Sequence, residues 1–348
     1  MNRKRSSSAT LGDVAQLAGV SSATASKALN SRGEVAPATR RRVLKAAEEL
    51  AFQPNALARG LTSGRTRMIG LITDELGGRF AIPILLGVEN ALGNEQMSVL
   101  LCDARGDAIR RRHYISTLVA RQVDGLIILG DRNDIRPSLT SEIPVPVAYV
   151  YGESDAPDDL SFLADDEGGA RLAGEHLVSL GRRRVGHITG EQTYRAARDR
   201  ASGLQAILEE QGLPLAGGAP LYGDWSQRWG RQAASILLGR APDVDAIFCG
   251  SDQIATGVVE GLRDLGRRVP EDVAIVGYDN WEVFAAECRP PLTTVDLNLQ
   301  QLGATAVEHL FGVLNGDQLH GVIRQPGRLV IRESTGPPAA TEGPSPHR

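Results

Sequence analysis

Of the 348 residues, only three are lysine (Lys4, Lys27 and Lys45), only three are cysteine and 4% are aromatic, and each scarcity closes off a class of chemistry. No lysine follows a glycine, so the Gly-Lys of a phosphate-binding loop is missing. No two of the 39 glycines stand two residues apart, which rules out a Gly-x-Gly-x-x-Gly dinucleotide loop. Cys102, Cys249 and Cys288 lack paired spacing and make neither a disulfide framework nor a zinc ribbon. The six histidines (113, 176, 187, 309, 320 and 347) show no His-x-x-x-His or His-x-His pair, and no Gly-x-Ser-x-Gly elbow occurs. So few rings argue against a sugar hydrolase or a lectin lined with stacked aromatics. No run approaches 18 apolar residues, and the charged start MNRKRSSS has no apolar core of the signal-peptide kind. The expectation is a cytoplasmic protein with no membrane span, no catalytic centre, no metal and no cofactor.

What is present is enough apolar side chain, 42%, for a sizeable core, and a lopsided charge. The net charge of -4 hides a division: residues 1–67 hold twelve Lys and Arg against four Asp and Glu, an excess of eight positive charges, while the remainder carries an excess of twelve negative ones. A small basic head on an acidic body suits a chain that meets a polyanion at one end only.

The head patterns as three short helices. Thr10-Leu11-Gly12-Asp13 resembles a capping box with Asp in place of Glu, and Val14, Leu17 and Ala18 share one helical face. Gly19-Val20 turns the chain, Ser21 caps a second helix with Thr24, Ala25, Ala28 and Leu29 inward, and a third helix runs from Pro37 through Leu50. Helix, tight turn with glycine, helix is the signature of a DNA-binding helix-turn-helix. From Met68 the rhythm changes. Apolar strands are expected at 68–73, 97–102, 125–129, 147–150, 184–189, 246–249, 273–277 and 328–332, alternating with amphipathic helices. Repeated strand-helix units imply parallel sheets with helices on both faces, and about eight units are too many for one typical open sheet, so two lobes are expected.

The segment TLGDVAQLAGVSSATASKALN, Thr10 to Asn30, closely resembles the DNA-binding head of the lactose-repressor/galactose-repressor family of bacterial transcription factors. The likeness continues through Val35–Leu50 and Pro54–Leu61. In the body it includes Arg121–Gly125, Gly168–Arg171, Phe248–Asp252, Val276–Asn280 and Pro290–Val295, so that about residues 9–335 are covered. It implies an all-α helix-turn-helix head over 1–53, a hinge helix and linker over 54–67, and a two-lobed α/β core of the periplasmic-binding-protein kind over 68–335. Lobe one is expected at about 68–164 and 297–325, lobe two at about 165–292 and 326–335, and a disordered tail at 336–348.

The resemblance also implies roles. In the second helix Ser22, Ala23 and Lys27 fall where the family reads bases, and i, i+1 and i+5 share one outward arc of a helix. Lys27 would donate to guanine and Ala23 would touch a thymine methyl; Ser22 and Ala23 are equally good plain helix residues. Ser21, Thr24, Ser26 and Asn30 suit phosphate contacts or caps. Asn55, Ala58 and Leu61 belong to the hinge, with Leu61 at the leucine that wedges into the minor groove; the plainer alternative is a flexible linker. In the core, the ligand contacts implied are Asp74, Phe80, Arg200, Trp225, Ser251, Asp252 and Asp279, at strand ends facing the cleft. Asp279 and Arg200 could instead be an ion pair closing the cleft, and Trp225 could be a core residue. The chain departs from the family at Gly78-Arg79-Phe80-Ala81 and Tyr151-Gly152, and Ser251 stands where an Asn is frequent. Arg79 raises the prospect of an anionic ligand. The function implied is a homodimeric regulator, expected to be a repressor, that binds a near-palindromic double-stranded DNA operator and is switched by a small-molecule effector, expected to be a carbohydrate. The alternative is a cytoplasmic solute-binding or sugar-processing α/β protein without operator specificity.

Overall fold

The computed structural model describes residues 9–29, 35–52 and 65–336, and the chain divides into two compact units, Met1–Arg67 and Met68–Arg348. In the first unit, α1 (Leu11–Ala18), α2 (Ser22–Leu29) and α3 (Pro37–Glu49) pack through small side chains: Val14, Ala15, Ala18, Ala25, Ala28, Val43, Ala46 and Ala47 are all buried. The capping box forms. Asp13 N–H donates to Thr10 Oγ1 (3.3 Å) and Thr10 N–H donates back to Asp13 Oδ2 (2.8 Å), which holds the Asp13 carboxyl below its usual range. Gly19 ends α1 in the left-handed region (φ 61°), a conformation that costs glycine nothing and so permits the tight turn into α2. One expectation fails: Leu17 is 51% exposed, because the inward stripe of α1 is centred on Val14, Ala15 and Ala18 and Leu17 flanks it.

In the second unit the chain runs β1 (Met68–Thr73), α4 (Ala81–Asn94), β2 (Ser98–Asp103), α5 (Ala108–Ala120), β3 (Gly125–Leu129), β4 (Ile135–Arg136), β5 (Val147–Val150), β6 (Glu153–Ser154) and β7 (Leu160–Ala164). There follow α6 (Asp166–Ser179), β8 (Val185–Thr189), α7 (Arg195–Glu210), β9 (Leu221–Tyr222), α8 (Gln227–Arg240), β10 (Ala246–Cys249), α9 (Asp252–Asp264), β11 (Ala274–Tyr278), α10 (Glu282–Ala285) and β12 (Thr293–Asp296). The last described elements are α11 (Leu299–Leu314), β13 (Gly321–Gln325), β14 (Arg328–Val330) and a 3-10 turn, Glu333–Thr335.

Two six-stranded sheets form, in the orders β13-β7-β5-β3-β1-β2 and β14-β12-β11-β10-β8-β9, and a two-stranded ladder joins β4 to β6. Every ladder of the large sheets is parallel except β12 with β14. Each sheet is the spine of a lobe, and the chain passes between the lobes three times, at 164–166, 296–299 and 325–328. Central strands such as GLIIL (β3) and VAYV (β5) are buried along their whole length, as strands sandwiched between helices must be. Glycines let the helices approach. A Cβ on Gly87 of α4 would lie 1.9 Å from the Gln300 carbonyl oxygen of α11, and one on Gly257 of α9 would lie 1.9 Å from the Gln227 carbonyl oxygen of α8. Because every strand but the edge strand β14 runs parallel to its neighbours, the carboxyl ends of the others point the same way within a lobe, and the loops that follow them face the other lobe across a cleft.

Candidate functional site

The head offers one outward helix face. Ser21 Oγ accepts from Thr24 N–H (3.2 Å) and meets Thr24 Oγ1 at 2.9 Å, which fixes the start of α2. Ala25 and Ala28 are buried, and Ser22, Ala23 and Lys27 are exposed on the opposite arc. The three expected base-reading positions therefore do share an accessible face, and Ser21 and Thr24 have a capping role. Asn30, Asn55, Ala58 and Leu61 lie outside the described residues, as does the tail beyond 336.

The centre of the cleft is built on Arg200, which is 1% exposed. Its Nε and NH2 reach Asp166 Oδ1 at 2.8 and 2.7 Å, and its NH1 donates to the Gly250 carbonyl. Asn133, from the loop after β3, donates to the other Asp166 oxygen at 2.7 Å, so Asp166 ties lobe one to lobe two. The Arg200 guanidinium also lies 3.9 Å from the Tyr278 ring centroid and 5.7 Å from that of Trp225. Burial alone would push the Arg200 proton off; the carboxylates of Asp166 and Asp279 outweigh it and hold the charge firmly.

Asp279 follows β11 and is held at φ 100°, a left-handed conformation that an aspartate adopts only under constraint. The constraints are visible. Its N–H donates to the Val295 carbonyl (2.8 Å), Asn280 N–H to Thr294 Oγ1 (3.3 Å) and Trp281 N–H to Asp252 Oδ2 (2.7 Å). The carboxylate so presented is 3% exposed, and neither of its oxygens accepts a well-aligned hydrogen bond. Arg79 NH2, from the opposite lobe, stands 3.0 Å from Oδ2, and Arg200 NH2 stands 3.7 Å from Oδ1. Burial raises the Asp279 pKa, and the two guanidiniums, Arg79 first, act against that rise.

Around this charge cluster the walls are aromatic. Phe80 meets Tyr151 with centroids 4.5 Å apart on the lobe-one side, and Tyr194 meets Trp225 edge-on at 5.7 Å on the lobe-two side. The Trp225 ring rests on the Gly190 backbone, where a Cβ would fall 2.0 Å from the ring, and its buried Nε1 donates to nothing. At the rim, Arg195 pairs with Glu153, and the Arg132 guanidinium stacks over Tyr194 at 4.9 Å, adding further contacts between the lobes.

The structure thus brings together Phe80, Arg200, Trp225 and Asp279. It commits the other three expected contacts to other partners. Asp74 is drawn outward by Arg111 (2.9 Å) and Arg136 (3.0 Å) into a cavity of about 540 Å³ whose lining includes Arg132 and Asp134 but none of those four residues. Ser251 is buried and spends its hydroxyl on the start of α9, accepting from Ile254 N–H at 3.2 Å. Asp252 is fully buried, accepting from Thr294 Oγ1 (2.6 Å) and Trp281 N–H, so it positions the Asp279 loop from below. Sequence reasoning missed Asp166, Asn133, Tyr151, Tyr194 and Tyr278. Asp165-Asp166 opening a helix straight after a strand was a usable signal for Asp166, and the departure at Tyr151-Gly152 was one for Tyr151; the rings of Tyr194 and Tyr278 carried none.

A basic helix-turn-helix unit joined to a two-lobed α/β core with charged groups converging between the lobes is the architecture of a transcriptional regulator with a binding domain. Comparison with known proteins agrees. Residues 10–55 match the family described as bacterial regulatory proteins, lacI family, and residues 175–335 match a periplasmic binding protein-like domain. The chain is 36% identical over 332 residues to the HTH-type transcriptional regulator CelR of Thermobifida fusca, covering 92% of this chain and 95% of that one. It is 33% identical over 304 residues to the HTH-type transcriptional repressor PurR of Aliivibrio salmonicida, covering 87% and 91%. Among solved structures, the lac repressor dimer bound to operator and the anti-inducer ONPF superposes with a TM-score of 0.75 at 29% identity over 95% of this chain and all of that one. A CelR-cellobiose complex gives 0.63 at 31% over 94% and 99%. The chain belongs to the LacI family of bacterial regulatory proteins. It is a helix-turn-helix transcriptional regulator, a reading that stands above a solute-binding or sugar-processing protein because the head and the core are both matched. Among the described residues no helix is long and apolar enough to cross a membrane.

Proposed function

We propose that this regulator acts in the cytoplasm as a homodimeric repressor on a near-palindromic operator, and that a hydroxylated small molecule, of the carbohydrate class, binds between the lobes of its core and alters operator affinity. On the head, Lys27 reads a guanine edge while Ser22 and Ala23 make close contacts beside it, and Ser21, Thr24, Ser26 and Asn30 serve phosphates or caps. Asn55, Ala58 and Leu61, outside the described residues, are assigned to minor-groove contact on the family resemblance alone. The dimer reading is supported by an apolar surface on lobe one, where Ile82 and Leu86 on one face of α4 and Leu101 on the edge strand β2 are exposed. It is supported also by the lac repressor, which the superposed structure shows as a dimer on its operator.

The observation that carries the ligand reading is the pair of incompletely met needs in the cleft: two buried Asp279 oxygens that face guanidiniums yet accept no well-aligned hydrogen bond, and a buried Trp225 Nε1–H without an acceptor. Hydroxyl groups both donate and accept, so a polyol meets both needs with one functional group. A two-fold pair of heads then demands two half-sites, and the ligand acts by favouring one arrangement of the lobes. Asp279→Asn retains size and loses the ionised acceptor. Titrating the operator complex of the parent and variant proteins with sugars, sugar acids and nucleosides should show the response lost in the variant, with ligand affinity down about ten-fold to a hundred-fold and operator affinity nearly unchanged. A variant that responds as the parent does would make Asp279 structural and place the ligand elsewhere.

A further inference from the structure

Asp279 is unusual among the buried charges of the core in owing its counter-charge to the other lobe. Arg200, its neighbour within lobe two, is already committed: two of its nitrogens are on Asp166 at 2.7 and 2.8 Å and a third is on the Gly250 carbonyl, leaving Asp279 at 3.7 Å. The nearer cation is Arg79 at 3.0 Å. That guanidinium is itself held in a fixed seat. It lies 4.6 Å from the Phe80 ring centroid and 5.5 Å from that of Trp281, with its side chain 16% exposed. The two rings attract the guanidinium and hold it in place with little water around it, and Asp279 is the carboxylate it pairs with there. The cluster at the middle of the cleft is therefore balanced: Arg79 and Arg200 face Asp166 and Asp279, while burial and the neighbouring Asp279 push the pKa of the Asp252 carboxyl up to about 8 and keep it protonated.

We infer that Arg79 sets the ligand class, selecting a hydroxylated compound that also carries an anionic group, whose hydroxyls occupy the Asp279 carboxylate while its anion takes over the Arg79 guanidinium. This rests on the reading of a hydroxylated ligand between the lobes. A neutral polyol that draws Asp279 away leaves a largely desolvated guanidinium without its counter-charge, and that cost opposes binding. A carboxylate or phosphate on the same compound restores the balance through a planar, two-pronged contact for which a guanidinium is suited. The exchange replaces one ion pair between the lobes with two contacts to the ligand, so the ligand becomes the link between Arg79 on one lobe and Asp279 on the other.

The test uses matched pairs on the full-length protein by calorimetry: gluconate, glucuronate and glucose 6-phosphate, each against glucose, and cellobionate against cellobiose. At least one anion should bind about ten-fold or more tightly than its neutral parent. Arg79→Gln should narrow that ratio by weakening the anion and strengthening the parent, and Arg79→Lys, which keeps the charge, should retain most of it. The carboxylate and phosphate arms identify which anion is preferred. Circular dichroism and thermal unfolding establish that the variants are folded. Equal binding of anion and parent, or a ratio that Arg79→Gln leaves untouched, would overturn the inference while the hydroxylated-ligand reading stands. Binding by no compound of either kind, to protein that is folded, would remove that reading and this inference with it.

Discussion

His187 sits on β8 with its ring stacked on Phe248 at a centroid distance of 4.8 Å and its Nδ1 2.9 Å from the Phe248 carbonyl oxygen. That contact requires the proton on Nδ1, which leaves Nε2 buried with no acceptor for a second proton. Burial therefore drives the pKa from 6.5 down to about 4, against the opposing pull of the Phe248 carbonyl. The unfolded chain takes up this proton near pH 6.5 and the folded core refuses it until about 4, so the stability it contributes is present above pH 6.5 and lost as the pH falls through that window. The loss amounts to roughly 3 kcal/mol. All three tryptophans, 225, 229 and 281, lie in the core, so urea unfolding followed by their fluorescence reports this unit. Between pH 7 and 4.5 the stability of the parent should fall more steeply than that of His187→Phe; equal slopes would mean that His187 is protonated in the folded state.

At the scale of elements, the helix pairs are set by glycines that meet backbone. Gly257→Ala would bring a methyl to within 1.9 Å of the Gln227 carbonyl oxygen, forcing α8 and α9 apart. Overpacking of this kind costs about 1–3 kcal/mol and should lower the thermal midpoint. Gly239→Ala on the same α8, with nothing within 4 Å, is the matched control and should be neutral or slightly stabilising. A Gly257 variant as stable as the control would mean that the helices slide apart freely.

Elements with a strong local pattern were legible in the sequence. The capping box, the Gly19 turn and the apolar strands β1, β3, β5, β8 and β10 appear within a residue of where periodicity puts them. Elements whose stability is tertiary were not. The strand β12, TTVD, looks polar, yet Thr293 and Thr294 are fully buried because their hydroxyls go to the Arg332 carbonyl and to Asp252. Likewise β13, GVIRQ, is an edge strand with Val322 and Arg324 exposed, and it pairs with β7 residues 161 positions earlier in the chain. The candidate site divides in the same way. Asp279 and Arg200 could be marked by the family resemblance, whereas the diversion of Asp74 to Arg111 and Arg136 and the seating of Arg79 against two rings depend on distances that one sequence does not encode locally.

For the whole molecule, the central claim is that a basic head with Lys27, Ser22 and Ala23 exposed on one helix face reads DNA as a two-fold pair while an acidic core responds to a ligand. The excess of positive charge in residues 1–67 should make affinity fall steeply as salt rises, since each phosphate contact releases condensed counterions. Sequence reading is tested most directly by selecting binders from a randomised duplex library with the full-length protein and with Lys27→Ala. The account predicts that the parent enriches an inverted repeat of two half-sites, and that Lys27→Ala relaxes preference at one symmetric base pair, at a cost of about 1–3 kcal/mol per contact. Enrichment of no inverted repeat by the parent, or a uniform loss of affinity across all sequences in the variant, would contradict it.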